Sequence, residues 1–110
     1  MATFHLTIVT ANGKAFEQQV DAIVLPGSEG QFGVLAHHAP LIGALQQGLA
    51  KITIDDNETF FMIGEGYADI SHNEVSVIVG EAAEVKDHQT GESLLKSEHP
   101  WESLDSVKIF

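Results

Sequence analysis

From Phe4 to Val79 apolar residues recur at every second position in short runs, and turn signals cut those runs about every 8–12 residues. This pattern excludes most folds, because a helix needs a period near 3.6 and none appears before Val85. Phe4, Leu6 and Ile8 share one side of a strand, and Asn12-Gly13 then gives a hairpin signal. The chain returns through Phe16 to Leu25, read as one strand, and Pro26-Gly27 stops it. Gly27 to Gly33 reads as a glycine-dense loop, followed by short strands at Val34–Ala36 and Leu41–Leu45. Ala50, Ile52 and Ile54 alternate, and Asp55 to Glu58 form a polar turn before Phe60–Ile63. Gly64 and Gly66 point to a bulge or a close backbone approach. Tyr67, Asp69 and Ser71 share one side of the next strand, opposite Ala68 and Ile70. Val75, Val77 and Val79 close the series, with Ile78 on the other face.

Seven or more short strands of this kind make a sandwich or a barrel. One sheet alone would leave its valines and isoleucines wet, whereas two packed sheets bury both inner faces. The residues expected to be mostly buried are Phe4, Leu6, Ile8, Val24, Ile52, Ile54, Val77 and Val79. A length of 110 residues suits one domain, and 44% apolar residues can build its core. Runs such as Ala22–Pro26 and Phe60–Ile63 are far too short to cross a bilayer. The N-terminus has no basic segment leading into an apolar one, so no signal peptide is expected.

After Val85 the character changes. Lys86 to Glu98 is polar apart from Leu94-Leu95, and Pro100 suits the first position of a short helix. Gly91 weakens any helix through it, so any helix here is expected to be short, one between Glu92 and His99 and a second after Pro100. Trp101, Leu104 and Val107 recur at spacing three as on a helix, while Val107, Ile109 and Phe110 fit a strand equally well. Residues 86–110 therefore read as a partly ordered extension, dispensable for the fold.

The chain has no cysteine, which removes disulfides, thiolate zinc sites and cysteine nucleophiles. Sixteen acids face five lysines and no arginine, a net charge of −11. Such a surface repels phosphate backbones, and one Trp and one Tyr give little to stack bases on, so nucleic acid is not an expected partner. Gly27, Gly30 and Gly33 lack the Gly-Lys-Ser/Thr close and the following helix of a phosphate loop, and read as turn glycines. His37 and His38 are adjacent and point to opposite faces of an extended chain, which suits no metal site. No Gly-x-Ser-x-Gly elbow occurs. The expectation is thus no catalytic group, no cofactor and no metal. Phe32, Val34 and Leu35 fit either core packing or an apolar contact offered to a partner.

Read together, Leu25-Pro26-Gly27-Ser28-Glu29-Gly30-Gln31-Phe32-Gly33-Val34-Leu35-Ala36-His37-His38-Ala39-Pro40-Leu41 resembles the signature of the ATP synthase epsilon subunit family. Phe4 to Thr10, Gln47 to Ile52, Phe61 to Ile70 and Asn73 to Val79 resemble the strands around it. The resemblance covers about Phe4 to Val85. It implies an all-β, flattened two-sheet sandwich of about ten strands over 1–85. It also implies a non-catalytic rotor subunit that links the gamma subunit to the membrane c-ring and couples ion flow to ATP synthesis. Such a subunit meets the membrane only through its complex, on the cytoplasmic face of a plasma membrane or the equivalent organelle face. Its c-ring edge carries over onto Glu29, Gln31, Phe32 and His38. The family often has an acid where Gln31 stands. Typical members continue into an Ala- and Arg-rich helical hairpin, whereas here no alanine follows Ala83. The competing expectation is a free-standing β-sandwich that binds a small ligand, which would want a pocket with converging polar groups.

Overall fold

The computed structural model describes residues 2–104 and 109–110. Its elements in order are β1 (Phe4–Thr10), β2 (Gly13–Val20), β3 (Ala22–Gly27), β4 (Gly30–Leu35) and β5 (Leu41–Leu45). Then come β6 (Gly48–Ile54), β7 (Asn57–Ile63), β8 (Gly66–Ser71), β9 (Glu74–Val79), β10 (Ala82–Val85) and α1 (His88–Lys96). Hydrogen bonding runs β10-β7-β6-β3-β5-β8-β9-β1-β2, with β4 on β3. The pairs are antiparallel except β1 with β9. β3 and β5 meet only at Gly27 and Leu45, so the path folds over there into two layers. One layer is β10-β7-β6-β3-β4 and the other is β5-β8-β9-β1-β2. At the far side Phe16 of β2 meets Phe61 of β7 edge to face, with ring centroids 5.6 Å apart. The sandwich is therefore nearly a closed barrel.

Alternation sets the core. β1 buries Phe4, Leu6 and Ile8 and leaves His5, Thr7 and Val9 half-covered. Ile23, Leu25, Ile52, Phe61, Ile63, Val75 and Val77 complete the interior from the facing strands. Each large side chain buried in this way stabilises the fold by about 1.5–3 kcal/mol. Six of the eight expected core residues are buried; Val24 and Ile54 are only half-buried. Val24 lies between the inward Ile23 and Leu25, so the strand period turns it to the outer face, beside Leu49, Phe60 and His88.

Three local readings are corrected. Phe16 to Leu25 is two strands, β2 in one layer and β3 in the other. Asp21 makes the corner: its N–H donates to the Thr53 carbonyl at 2.8 Å, and its carboxylate accepts from the Asp55 N–H at 2.7 Å. The glycine-dense loop is mostly strand. Gly27 pairs with Gly30 around a two-residue turn, Ser28-Glu29, and β4 begins at Gly30, whose φ is 127°. The turns Asp55-Asp56 and His72-Asn73 carry positive φ at both residues, the twist that suits a tight hairpin.

The third correction concerns the extension. α1 starts at His88 and runs through Gly91, which is buried against β6 and β10. A Cβ at Gly91 would lie 2.5 Å from Leu49 Cδ2 and 3.1 Å from Val85 Cγ2, so glycine lets the helix sit tightly on the sheet. Asp87 caps the helix by accepting the Thr90 N–H at 2.7 Å, and Ser97 closes it through the Leu94 carbonyl. Beyond it, Trp101 Nε1 donates to Gln47 Oε1 at 2.9 Å, and residues 100–103 form a turn rather than a helix. Phe110 and Ala82 exchange backbone hydrogen bonds of 2.8 and 2.9 Å, which extends the sheet beyond β10. The expected helical or strand role of Val107 falls outside the described residues. Among the described residues no helix is long and apolar enough to cross a membrane.

Candidate functional site

Of the four residues expected at a partner edge, the β3–β4 hairpin carries Glu29, Gln31 and Phe32, and His38 follows after β4. Glu29 and Gln31 are exposed at its tip. A Cβ at Gly27 would come within 2.5 Å of the Gly30 carbonyl and 2.9 Å of the Phe32 ring. A Cβ at Gly43 would also touch that ring, at 3.5 Å. The Phe32 ring is thus seated on two glycines and packs against the core.

His38 lies at the opposite end of the hairpin. Ala22 pairs with Leu35 there, and the His38 N–H donates back to the Leu35 carbonyl. Gln31 to Leu35 is extended strand, about 13 Å long, and residues 36–38 then turn back on Leu35. The structure therefore does not bring His38 to the edge that holds Glu29 and Gln31. The His37-His38 turn is fixed from across the molecule: Asn73 Oδ1 accepts the His37 N–H at 2.7 Å, and Asn73 Nδ2 donates to the Thr3 carbonyl at 2.8 Å. This explains how His37 holds a φ of 63°. Among the described residues no cluster of His, Asp or Glu could hold a metal ion.

The apolar run flagged from sequence also divides. Val34 is in the core, Phe32 is half-buried, and Leu35 is 65% exposed. Leu35 has company that sequence reading missed: Leu41, Ile42 (71% exposed) and Tyr67. Opposed residues in a sheet share a face. The register puts Ile42 opposite Asp69, Ala44 opposite Tyr67, Tyr67 opposite Ile78, and Ile78 opposite Val9. One outer face therefore carries Ile42, Ala44, Tyr67, Ile78 and Val9 as a band that is apolar apart from Asp69, Ser76 and Thr7 in the row of Ile42. The one available signal was the side of β8 that Tyr67 shares with Asp69 and Ser71. Beside the band, β1 and β2 are polar. Lys14 Nζ donates to Glu17 at 2.6 Å and His5 Nε2 at 2.8 Å, which holds the Glu17 carboxyl below its ordinary pKa.

Two open clefts flank the hairpin tip. One, of about 470 Å³, lies between the tip and β5, with Glu29, Phe32, Ile42 and Ala44 along it. The other, of about 310 Å³, lies between the tip and α1, with Gln31, Gln46, Gln47, Leu95 and Glu92 along it. Among the described residues no buried side-chain nitrogen or oxygen lacks a hydrogen-bond partner.

Residues 3–85 match the family model described as the ATP synthase delta/epsilon chain β-sandwich domain. The chain belongs to the ATP synthase delta/epsilon family. The match ends at Val85, the last residue of β10, and α1 lies beyond the matched residues. An ATP synthase epsilon chain of Afipia carboxidovorans is 33% identical over 97% of this epsilon-type chain and 85% of its own length. One of Rhodopseudomonas palustris is 36% identical over 79% of this chain and 64% of its own length. The fold is also that of chains in two solved structures. A mitochondrial ATP synthase structure of Euglena gracilis gives a TM-score of 0.73 at 23% identity, over 96% of this chain and 70% of the other. The central stalk and c-ring structure of Tetrahymena thermophila gives 0.61 at 14% identity, over 71% and 63%.

Proposed function

We propose that this chain is a non-catalytic rotor subunit of the central stalk of an ATP synthase. It joins the gamma subunit to the c-ring, so that ion flow through the membrane part drives ATP synthesis in the head. It sits on a membrane-bound complex and meets the bilayer only through that complex, on the cytoplasmic face of a plasma membrane or the equivalent face of an organelle. The observation that carries the reading is the match of residues 3–85 to the delta/epsilon β-sandwich, which here bears both an exposed apolar band and a polar hairpin tip. The apolar band around Ile42 and Tyr67 suits a lasting interface with gamma, since obligate interfaces are the apolar ones. The hairpin tip with Glu29 and Gln31 suits the polar loops of the c-ring. There the glycines let backbones come close, and the Gln31 carboxamide both donates and accepts hydrogen bonds.

The test is a pull-down from solubilised membranes with this chain as bait. Recovery of gamma at equal stoichiometry, together with c-ring, is the expected result. A monomer that captures a small molecule and no gamma would replace this reading with a free-standing ligand-binding sandwich. A Gln31→Cys variant should crosslink to a cysteine placed in the c-ring loop. Failure at every position from Glu29 to His38 would remove the c-ring edge from this hairpin.

A further inference from the structure

Met62 and Ala83 are fully buried, yet they point away from the interior. Phe61 and Ile63 of β7 face the core, so the strand period turns Met62 outward, and Ala83 lies opposite it on β10. On the same outer face Leu49 lies opposite Met62, and the buried Val85 lies opposite Phe60. What covers this face is α1, which lies across β6, β7 and β10. Gly91 sits on Leu49 and Val85, and the His88 ring meets the Phe60 ring edge to face, with centroids 5.7 Å apart. The sandwich thus has a second, smaller apolar core outside its two layers.

We propose that α1 is a fixed closure over this second core, fastened from beyond its end by Trp101 and Phe110, and that it stays on the sandwich throughout rotary turnover. Turnover here rests on the rotor reading above, whereas the fastening belongs to the free chain as well.

A helix of nine residues with a glycine inside it is marginal in water, so α1 owes its existence to docking. Lifting it would unfold the helix and wet Leu49, Phe60, Met62, Ala83 and Val85 in one step, and each of these side chains favours the covered state. Two ties lie beyond the helix. Trp101 Nε1 donates to Gln47 Oε1 at 2.9 Å, one residue before β6 begins. Phe110 and Ala82 exchange backbone hydrogen bonds, which is the pattern of an antiparallel pair. β10 ends the hydrogen-bonded path, so Phe110 occupies backbone groups that a bare strand edge would leave open. The helix is therefore held at its start by the Asp87 cap, at its middle by the seat of Gly91, and past its end by Trp101 and Phe110. An element tied on both sides does not leave when one contact opens.

The experiment combines Leu49→Cys with Gly91→Cys in a chain that has no cysteine of its own. A Cβ at Gly91 lies 2.5 Å from Leu49 Cδ2, and trimming Leu49 makes room for the bond. The expected result is a disulfide that forms in the free chain, seen by mass spectrometry. In the assembled enzyme, ATP synthesis and ATP hydrolysis should then agree within about two-fold between the oxidised and reduced forms. Hydrogen exchange gives a second reading on the parent chain. The Gly91 N–H, which donates to the Asp87 carbonyl, should exchange about ten-fold or more slowly than in a peptide of residues 86–104. A several-fold gap between oxidised and reduced enzyme, absent from the parent, would overturn the proposal by showing that α1 lifts during turnover. A disulfide that does not form, or a Gly91 N–H that exchanges as fast as in the peptide, would overturn the closure itself. A pull-down without gamma or c-ring, alongside a disulfide that forms in the free chain, would remove the rotor reading and leave the fastening standing.

Discussion

At Gly66 the strands β8 and β9 lie so close that a Cβ would collide with the Ile78 carbonyl oxygen and come within 2.7 Å of Val79 Cα. Those atoms are backbone and cannot swing away. Gly66→Ala should therefore destabilise the sandwich by about 1–3 kcal/mol or more, read as a lower denaturant midpoint. Gly33→Ala is the control: nothing lies within 4 Å of its Cβ position and its φ is not positive, so its effect should stay within about 0.5 kcal/mol. A stable Gly66→Ala protein would show that β8 and β9 can part without cost. Gly66 was legible in the sequence, because a glycine inside an alternating strand marks a bulge or a close approach. Ile42 was not. Its run Leu41-Ile42 fits a buried strand, and only the register with β8 turns Ile42 outward beside Asp69. Ile42→Asp should leave thermal stability nearly unchanged, since surface changes usually stay within about 0.5 kcal/mol, yet sharply reduce recovery of gamma in the pull-down.

Among the elements, the strands were legible and the helix was misplaced. Alternation survives any tertiary context that keeps one face dry, and so β1, β6, β8 and β9 emerge from residue order alone. The β2–β3 corner was hidden because Asp21 finds its partners, Thr53 and Asp55, far along the chain. The start of α1 was hidden because Gly91 weakens a helix in isolation, while here it allows contact with Leu49 and Val85. The cap gives a pH test. The Thr90 N–H donates to the Asp87 carboxylate at 2.7 Å, which holds it below the ordinary aspartate range. A depressed pKa contributes stability that is complete above the unfolded value and is lost as pH falls through the folded one. Asp87→Ala should thus loosen α1 at neutral pH, seen as a change in Trp101 fluorescence. The difference from the parent chain should close only in strong acid, below the usual carboxylate range. A difference that is flat across the acid limb would show that the carboxylate charge has no part in the cap.

At the scale of the whole molecule, the family match ends at Val85, and α1 packs on β6 and β10 through Gly91. We expect a chain ending at Val85 to fold cooperatively and still bind gamma, because the core of the two layers is complete without α1. Its thermal midpoint should drop, by about 4–8 °C for each kcal/mol lost with the cover over Leu49 and Val85. ATP hydrolysis by the assembled enzyme should change little; a several-fold rise would mean that residues 86–110 restrain it. The parallel pairing of β1 with β9 has a consequence of its own for how the chain is made. β1 leaves the ribosome before β9 and can pair with it only once Val75 and Val77 have emerged, and the clip from Asn73 to Thr3 spans 70 residues. At about 5–20 residues per second, β1 therefore waits roughly 4–14 s with only β2 beside it. Its apolar side stays open to chaperones throughout that wait, and the outer band of β5, β8, β9 and β1 does not exist as a surface until it ends. A nascent chain cannot dock on a rotor half-made.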